Sequence, residues 1–236
     1  MNHFDYIDDY DEEIPLHLRD YFMERKIGYI RARILENYGN ASCSLLDAGC
    51  GTGWHVAALI DAGYDVTGID ASERQIAHAR LTHPQCKFIC SSMLSLPFPD
   101  GSFDVVYAIN SLHHLDSPAA QKTALGELRR VTKTGGIIIV HEMNTRNPLI
   151  RWYLRFLFPR LKSIDAGNEQ WILPSYWEKH YPEVCGPVSY FTFTPDFTPR
   201  LLLPFFRMVD RFLESTLLRF WSAHYAVTLR FEKNTL

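Results

Sequence analysis

Leu45-Leu46-Asp47-Ala48-Gly49-Cys50-Gly51-Thr52-Gly53, with Gly68-Ile69-Asp70 downstream, decides the fold. An apolar run, a glycine-rich turn and the start of an amphipathic stretch stand in a row. A second apolar run then ends on a carboxylate. A strand led into a helix through alternating glycines brings bare backbone N–H groups close to a bound ligand. A carboxylate at the tip of the next strand is placed to accept hydrogen bonds from a ribose diol. Together they predict a site for a ligand that carries an adenosine.

Spacing separates the adenosine ligands. The dinucleotide fingerprint is G-x-G-x-x-G/A, whose third small residue lets helix and strand pack closely. Gly49 and Gly51 fit it, but the third position is Trp54, which speaks against a nicotinamide-dependent oxidoreductase. The run reads instead as D-x-G-x-G-x-G, with Asp47 beside the loop. A carboxylate there repels a pyrophosphate and favours a cationic ligand. S-adenosylmethionine carries a sulfonium and an ammonium group and no phosphate. The pattern resembles the first motif of class I S-adenosylmethionine-dependent methyltransferases.

The resemblance continues in register from about residue 40 to 145. Phe88-Ile89-Cys90 is similar to the third strand of that family, and Leu96-Pro97-Phe98-Pro99-Asp100-Gly101-Ser102-Phe103-Asp104-Val105-Val106 to the run leading into its fourth. Ser111-Leu112-His113-His114-Leu115 resembles the segment that follows. Leu128 to Gly136, then Ile137-Ile138-Ile139-Val140, resembles the helix, G-G turn and fifth strand. The group most resembled is the ubiquinone/menaquinone-type (methyltransferase type 11) small-molecule enzymes. One position departs from the family: an Asp that accepts from the adenine amino group is here Ser92. A serine oxygen can accept that bond, but uncharged and with shorter reach.

The resemblance implies an α/β fold: a Rossmann-like, seven-stranded, mostly parallel sheet with helices on both faces and an antiparallel last strand. Helical insertions are expected after the fifth strand and between the sixth and seventh. It implies that Gly49, Gly51 and Gly53, with Ala48 and Cys50 between them, turn around the methionyl part of S-adenosylmethionine, and that Asp47 acts through charge and by ordering the loop. Asp70 would hold the ribose hydroxyls, Ala71 would leave room for adenine, and Ser92 and the backbone N–H of Met93 would meet the ring. Asn110 would face the cofactor, or serve only as a turn residue. Tyr6 and Tyr10 resemble residues that fold over the cofactor, or pack as part of an amphipathic arm. His113, His114 and Glu142 lie where the family's sites open. A histidine there can take a proton from a phenol or an activated carbon acid, or simply order the loop. His141 and Glu142 alternate along one strand, so they face opposite sides.

At 236 residues and 47% apolar composition the chain suits one α/β domain carrying insertions, and a formal net charge of −3 gives no global attraction for nucleic acid. Cys43, Cys50, Cys86, Cys90 and Cys185 are odd in number and lack C-x-x-C spacing. They read as reduced thiols, without a metal site. The acidic first residues are opposite to a positively charged leader, and no run of eighteen uncharged apolar residues occurs, so a cytoplasmic location is expected.

Three parts are expected within residues 1–236: an N-terminal helical arm (1–40), the cofactor-binding core (41–144) and a C-terminal part (145–236). Strands are predicted near 44–48, 65–69, 87–90, 103–109 and 136–141, and helices near 53–62, 72–82 and 117–132, the last entered through Ser117-Pro118. Alternation over 188–194 and 225–231 predicts two more strands. Nineteen of the 32 aromatic residues fall after residue 144, which points to apolar insertions near 145–183 and 198–222. The first carries Arg146, Arg151, Arg155, Arg160 and Lys162 among aromatics and no acid between them. Residues 146–162 therefore fit either peripheral contact with a membrane surface or a lid packed over the sheet. Both readings point to a small, hydrophobic or lipid-like methyl acceptor, methylated at oxygen or carbon by in-line displacement. A catalytically silent binding module is the alternative.

Overall fold

The computed structural model describes residues 14–161, 169–182 and 185–231. Helix α1, Leu16–Tyr38, buries Leu18, Tyr21, Ile27, Ile30 and Ile34 along one stripe and ends at Gly39, whose φ of 61° suits glycine. Alternating elements follow: β1 (Ser44–Ala48), α2 (Trp54–Asp61), β2 (Asp65–Asp70), α3 (Glu73–Thr82), β3 (Lys87–Cys90), β4 (Phe103–Ile109), α4 (Pro118–Val131) and β5 (Thr132–Met143). The caps are those the residue types favour. Ser72 accepts from the Gln75 N–H, and Ser117 from the Ala120 N–H ahead of Pro118 in the first turn.

The C-terminal part adds α5 (Pro148–Trp152), a π-helical turn (Tyr153–Leu157), α6 (Phe158–Leu161), α7 (Pro174–His180), β6 (Ser189–Phe191), α8 (Leu203–Glu214) and β7 (His224–Arg230). The strands form one seven-stranded sheet in the order β3-β2-β1-β4-β5-β7-β6. Strands β1 to β5 pair in parallel, and β7 runs antiparallel to both β5 and β6. This is the Rossmann-like sheet the motifs imply, with helical insertions at both expected places.

Both faces of the sheet are covered, which is why its strands read as continuous apolar runs. Val105 and Tyr107 of β4, with Ile137 and Ile139 of β5, pack with Ile27, Ile30 and Ile34 of α1 and with α2. Val106, Ala108, Ile138 and Val140 point the other way, into a cluster with Leu128 of α4, Trp177 of α7 and Tyr225 of β7. The Trp177 indole N–H donates to the Tyr225 hydroxyl at 3.0 Å, and that hydroxyl donates to the Ile172 carbonyl at 2.8 Å. The first insertion is thereby tied to the last strand.

Two boundaries differ from the sequence pattern. Strand β5 begins at Thr132, directly after α4, and not near 136. Strand β6 stops at Phe191, although the alternation runs to Thr194. Thr192 has a φ of 73°, and past the turn the Thr192 and Phe193 N–H groups donate to Glu214 and Asp210 of α8, at 2.8 and 2.6 Å. Carboxylates on a neighbouring helix outbid the sheet for these donors.

Gly136 sits where chains cross: a Cβ there would lie 2.8 Å from the Asp104 and Lys133 carbonyl oxygens. Gly136→Ala is expected to lower stability by about 1–3 kcal/mol, the scale of overpacking, read from thermal or urea unfolding. An unchanged midpoint would show that the backbone yields.

Candidate active site

A cavity of about 240 Å³ opens at the carboxyl ends of β1, β2 and β4. In an open α/β sheet this is the topological switch point, where successive crossovers leave in opposite directions. The glycine loop forms one wall. Gly49, Gly51 and Gly53 all have positive φ, at 86°, 52° and 83°. The Gly49 and Cys50 N–H groups both donate to the Ile69 carbonyl at 2.8 Å, fastening the loop to β2. A Cβ on Gly49 would come within 2.5 Å of the Ser111 Cβ, and one on Gly53 within 2.4 Å of the Phe88 ring. At Gly51 a Cβ would meet nothing; there the loop faces open space.

Asp70 closes the next wall. One carboxylate oxygen accepts the Gly51 N–H and the other the Ser72 N–H, each at 2.9 Å. Two backbone donors hold the group in place at the edge of the cavity. Ala71, Ser92 and Met93 continue the lining. The Ser92 hydroxyl oxygen accepts the Leu94 N–H at 3.2 Å. Asn110, at the tip of β4, adopts a φ of 49°, a conformation asparagine tolerates. Its N–H donates to the His141 carbonyl at 2.8 Å, and its side-chain oxygen lies 3.1 Å from His141 Nδ1.

The lining includes Gly49, Cys50, Gly51, Asp70, Ala71, Ser92, Met93, Asn110 and His114 of the residues the sequence nominated. Asp47, Ala48 and Gly53 lie behind the wall. Asp47 is only 1% exposed, and burial holds its carboxyl well above the ordinary carboxylate range, opposed in part by the neighbouring Tyr107 hydroxyl. Tyr6 and Tyr10 fall outside the described residues.

His113 and Glu142 are not among the lining residues. They bond to each other, His113 Nδ1 to Glu142 Oε2, at 3% and 1% exposure. The other Glu142 oxygen accepts the Leu112 N–H at 3.1 Å, and the His113 ring stacks on Trp171 at 4.4 Å. Glu142 thus ties the turn after β4 to the end of β5, while His113 carries the chain returning from the first insertion. His141 faces the opposite side, stacked on Phe191 at 5.5 Å and 5.0 Å from the His224 ring.

Sequence reasoning missed Arg19, Lys26 and His55, all of which line the cavity. Arg19 lies 4.2 Å over the Trp54 ring at the start of α2. Lys26 comes from the middle of α1 and His55 from the first turn of α2. Helical spacing puts charged residues on a face, but not on the face that closes a cavity.

Residues 46–140 match the family model described as a methyltransferase domain. The chain is 36% identical over 144 residues to the 2-methyl-6-phytyl-1,4-hydroquinone methyltransferase of Synechocystis sp., covering 56% of this chain and 44% of that one. It is 35% identical over 148 residues to the demethylmenaquinone methyltransferase of Beutenbergia cavernae, covering 60% of each. The chain spans about half the length of these relatives. The crystal structure of the PH0226 protein from Pyrococcus horikoshii OT3 superposes with a TM-score of 0.61 at 19% identity, over 98% of both chains, a likeness of fold. Fold and cavity together define a Rossmann-like α/β protein with an open pocket at its strand ends. Over residues 46–140 the chain is thus similar to methyltransferase domains.

Replacing Asp70 by Ala removes the acceptor that faces the cavity and leaves two N–H groups unpaired. Affinity for S-adenosylhomocysteine, measured by calorimetry, is expected to fall by about 1–3 kcal/mol; wild-type affinity would remove Asp70 from the binding site.

A second expectation concerns acid. Burial first, and the Lys26 charge second, push His55 and His224 down to about 3 and His141 well below its ordinary value. In the unfolded chain a histidine titrates near 6.5. Between about pH 6.5 and 3 the unfolded state therefore binds protons that the folded state refuses. Stability is whole above that window and falls as pH falls through it, by at most about 1.4 kcal/mol per pH unit for each histidine. Urea midpoints at pH 7 and pH 5 check this.

Proposed function

We propose that this chain transfers a methyl group from S-adenosylmethionine to a small, hydrophobic acceptor, at oxygen or carbon. The observation that carries the reading is the Asp70 carboxylate, fixed by the Gly51 and Ser72 N–H groups and turned toward the same cavity as the open side of the glycine loop. The residues present fit that donor. Gly51 leaves room for it beside the loop. Asp70 would take the ribose diol, and Ala71 and Met93 would flank adenine. Ser92 would reach it only weakly, since its oxygen already serves Leu94. Gly49 to Gly51 would border the methionyl chain, with Arg19 near its carboxylate.

When bound, the donor supplies a methyl group on a positively charged sulfur, an excellent leaving group. What the protein must add is position and dryness. Ile14 lines the cavity and packs both with Leu154 and Phe158 of the first insertion and beside Leu203 of α8. Through Ile14 both insertions pack against one edge of the cavity. Of the three nominated catalytic residues, His114 lines the cavity and is the one in reach of an acceptor proton, whereas His113 and Glu142 would position the turn that carries it.

Two features support a lipid-like acceptor. The relatives are named for methylating a phytylated hydroquinone and demethylmenaquinone. The outer surface also suits a bilayer carrying anionic lipid. Leu149 is 74% exposed, Trp152 57% and Phe212 67%, with Arg151, Arg155, Arg160 and Arg211 exposed beside them. The acids of α8 point inward: Asp210 accepts from Tyr21, Thr194 and the Phe193 N–H, and Glu214 pairs with Arg25. Arginines and aromatics outside with acids inside make an in-plane anchor for an anionic surface. No described helix is long and apolar enough to cross a membrane.

Incubation with labelled S-adenosylmethionine and a lipid extract should move label into the organic phase. Donor binding without transfer would favour the silent binding module. Replacing Arg151, Arg155 and Arg160 by Glu should abolish sedimentation with phosphatidylglycerol vesicles, and salt should weaken it in the unaltered protein. Unchanged sedimentation would leave 146–162 as a packed lid.

A further inference from the structure

The two cations of the cavity stand in different surroundings. Arg19 lies over Trp54, beside the glycine loop. Lys26 lies toward the ends of β4, β5 and β7, and among the described residues its ammonium has no hydrogen bond and no ion pair within 4 Å. Around it are His55 and Asn110, both lining the cavity. Behind Asn110 stands His141, and beyond that His224, whose Nδ1 is buried without a partner. All three imidazoles feel the Lys26 charge and are kept neutral chiefly by burial.

Two carboxyl groups act on Lys26 from a distance, Glu142 and Asp47. Neither is a counter-ion. Glu142 is engaged by His113 and the Leu112 N–H, and Asp47 is disfavoured as an anion by its burial. An ammonium group in a half-closed cavity, faced by neutral groups, is poorly compensated until an anion arrives. Burial draws Lys26 down to about 8, so at neutral pH it is still mostly charged.

We infer that Lys26 is the docking point for an ionised phenolic or enolic oxygen of the methyl acceptor, with Asn110 and His55 beside it. The inference rests on the proposed methyl transfer and names the chemistry of its acceptor. In the step it assists, the acceptor O–H bond breaks, the electron pair stays on oxygen and the proton leaves to solvent. Lys26 keeps its own protons and holds the oxyanion by charge. That anion shares its charge with the ring or alkene carbons conjugated to it, so either the oxygen or one of those carbons becomes the nucleophile. Lys26 thereby acts on the reacting group, while His141 and His224 position Asn110 and keep the surroundings neutral.

The probe is 4-nitrophenol, whose phenolate is yellow, titrated with pH in the presence of the protein saturated with S-adenosylhomocysteine. In the unaltered protein the bound phenol should ionise at lower pH than in water, by on the order of one unit, the effect of a neighbouring opposite charge. Lys26→Met should abolish that shift and Lys26→Arg should keep it, with S-adenosylhomocysteine affinity within about threefold of the original in both; circular dichroism and thermal melting show that each variant is folded. A bound phenol that stays neutral, no binding of the probe, or a shift that survives in Lys26→Met overturns the inference. So does a loss of more than tenfold in S-adenosylhomocysteine affinity on Lys26→Met, which would assign the lysine to the donor's carboxylate. If the unaltered protein fails to bind S-adenosylhomocysteine, the methyl-transfer reading fails. The same titration without it still reports on Lys26.

Discussion

The Ile69 carbonyl accepts two N–H groups at once, from Gly49 and Cys50, and the site depends on this shared acceptor. Two donors on one oxygen force the chain leaving β1 to bend over the end of β2. That bend puts the Gly51 N–H against Asp70 and brings the Asp70 carboxylate to the cavity. It also leaves no space for side chains at positions 49 and 53, where Ser111 and the Phe88 ring already lie. Strand tip, loop and helix start are therefore held as one unit by hydrogen bonds and packing.

The last turn of β5 distributes labour between the two faces of the sheet. His141 looks toward α1 and the cluster around Lys26, and through Asn110 it shapes the cavity. Glu142, one residue on, looks toward α4 and the first insertion, where it bonds His113 and the Leu112 N–H. Adjacent residues in one strand thus serve the two faces of the sheet separately. The arrangement explains how so polar a strand end can be buried: nearly every group on it has a partner or is neutral.

Much of this was legible in the sequence because it is local. Glycine spacing, a terminal carboxylate and runs buried on both faces each carry their meaning within a few residues, and the core elements and the lining at Gly49, Gly51 and Asp70 followed from them. What was not legible depends on distant partners. Nothing near His113 announces that Glu142 is its partner, so the sequence left acid–base work and loop ordering both open there. Lys26 and His55 sit in helices whose charged positions ordinarily mean a solvated face, and only the packing of α1 across α2 turns them inward. Alternation from 188 to 194 is real, yet β6 ends early because Asp210 and Glu214, on a helix further along the chain, compete for its donors.

The position of β7 has a consequence for how the molecule is made. In chain order it is the last strand, yet in the sheet it lies between β5 and β6. Until it emerges during synthesis, the hydrogen-bonding edge of Ile137-Ile138-Ile139-Val140 has no neighbour and β6 has nothing to pair with. A nascent chain therefore exposes a sticky apolar border for the whole time the two insertions are being translated. The aromatic-rich segments of the two insertions are, on the ribosome, the nearest available cover for that border.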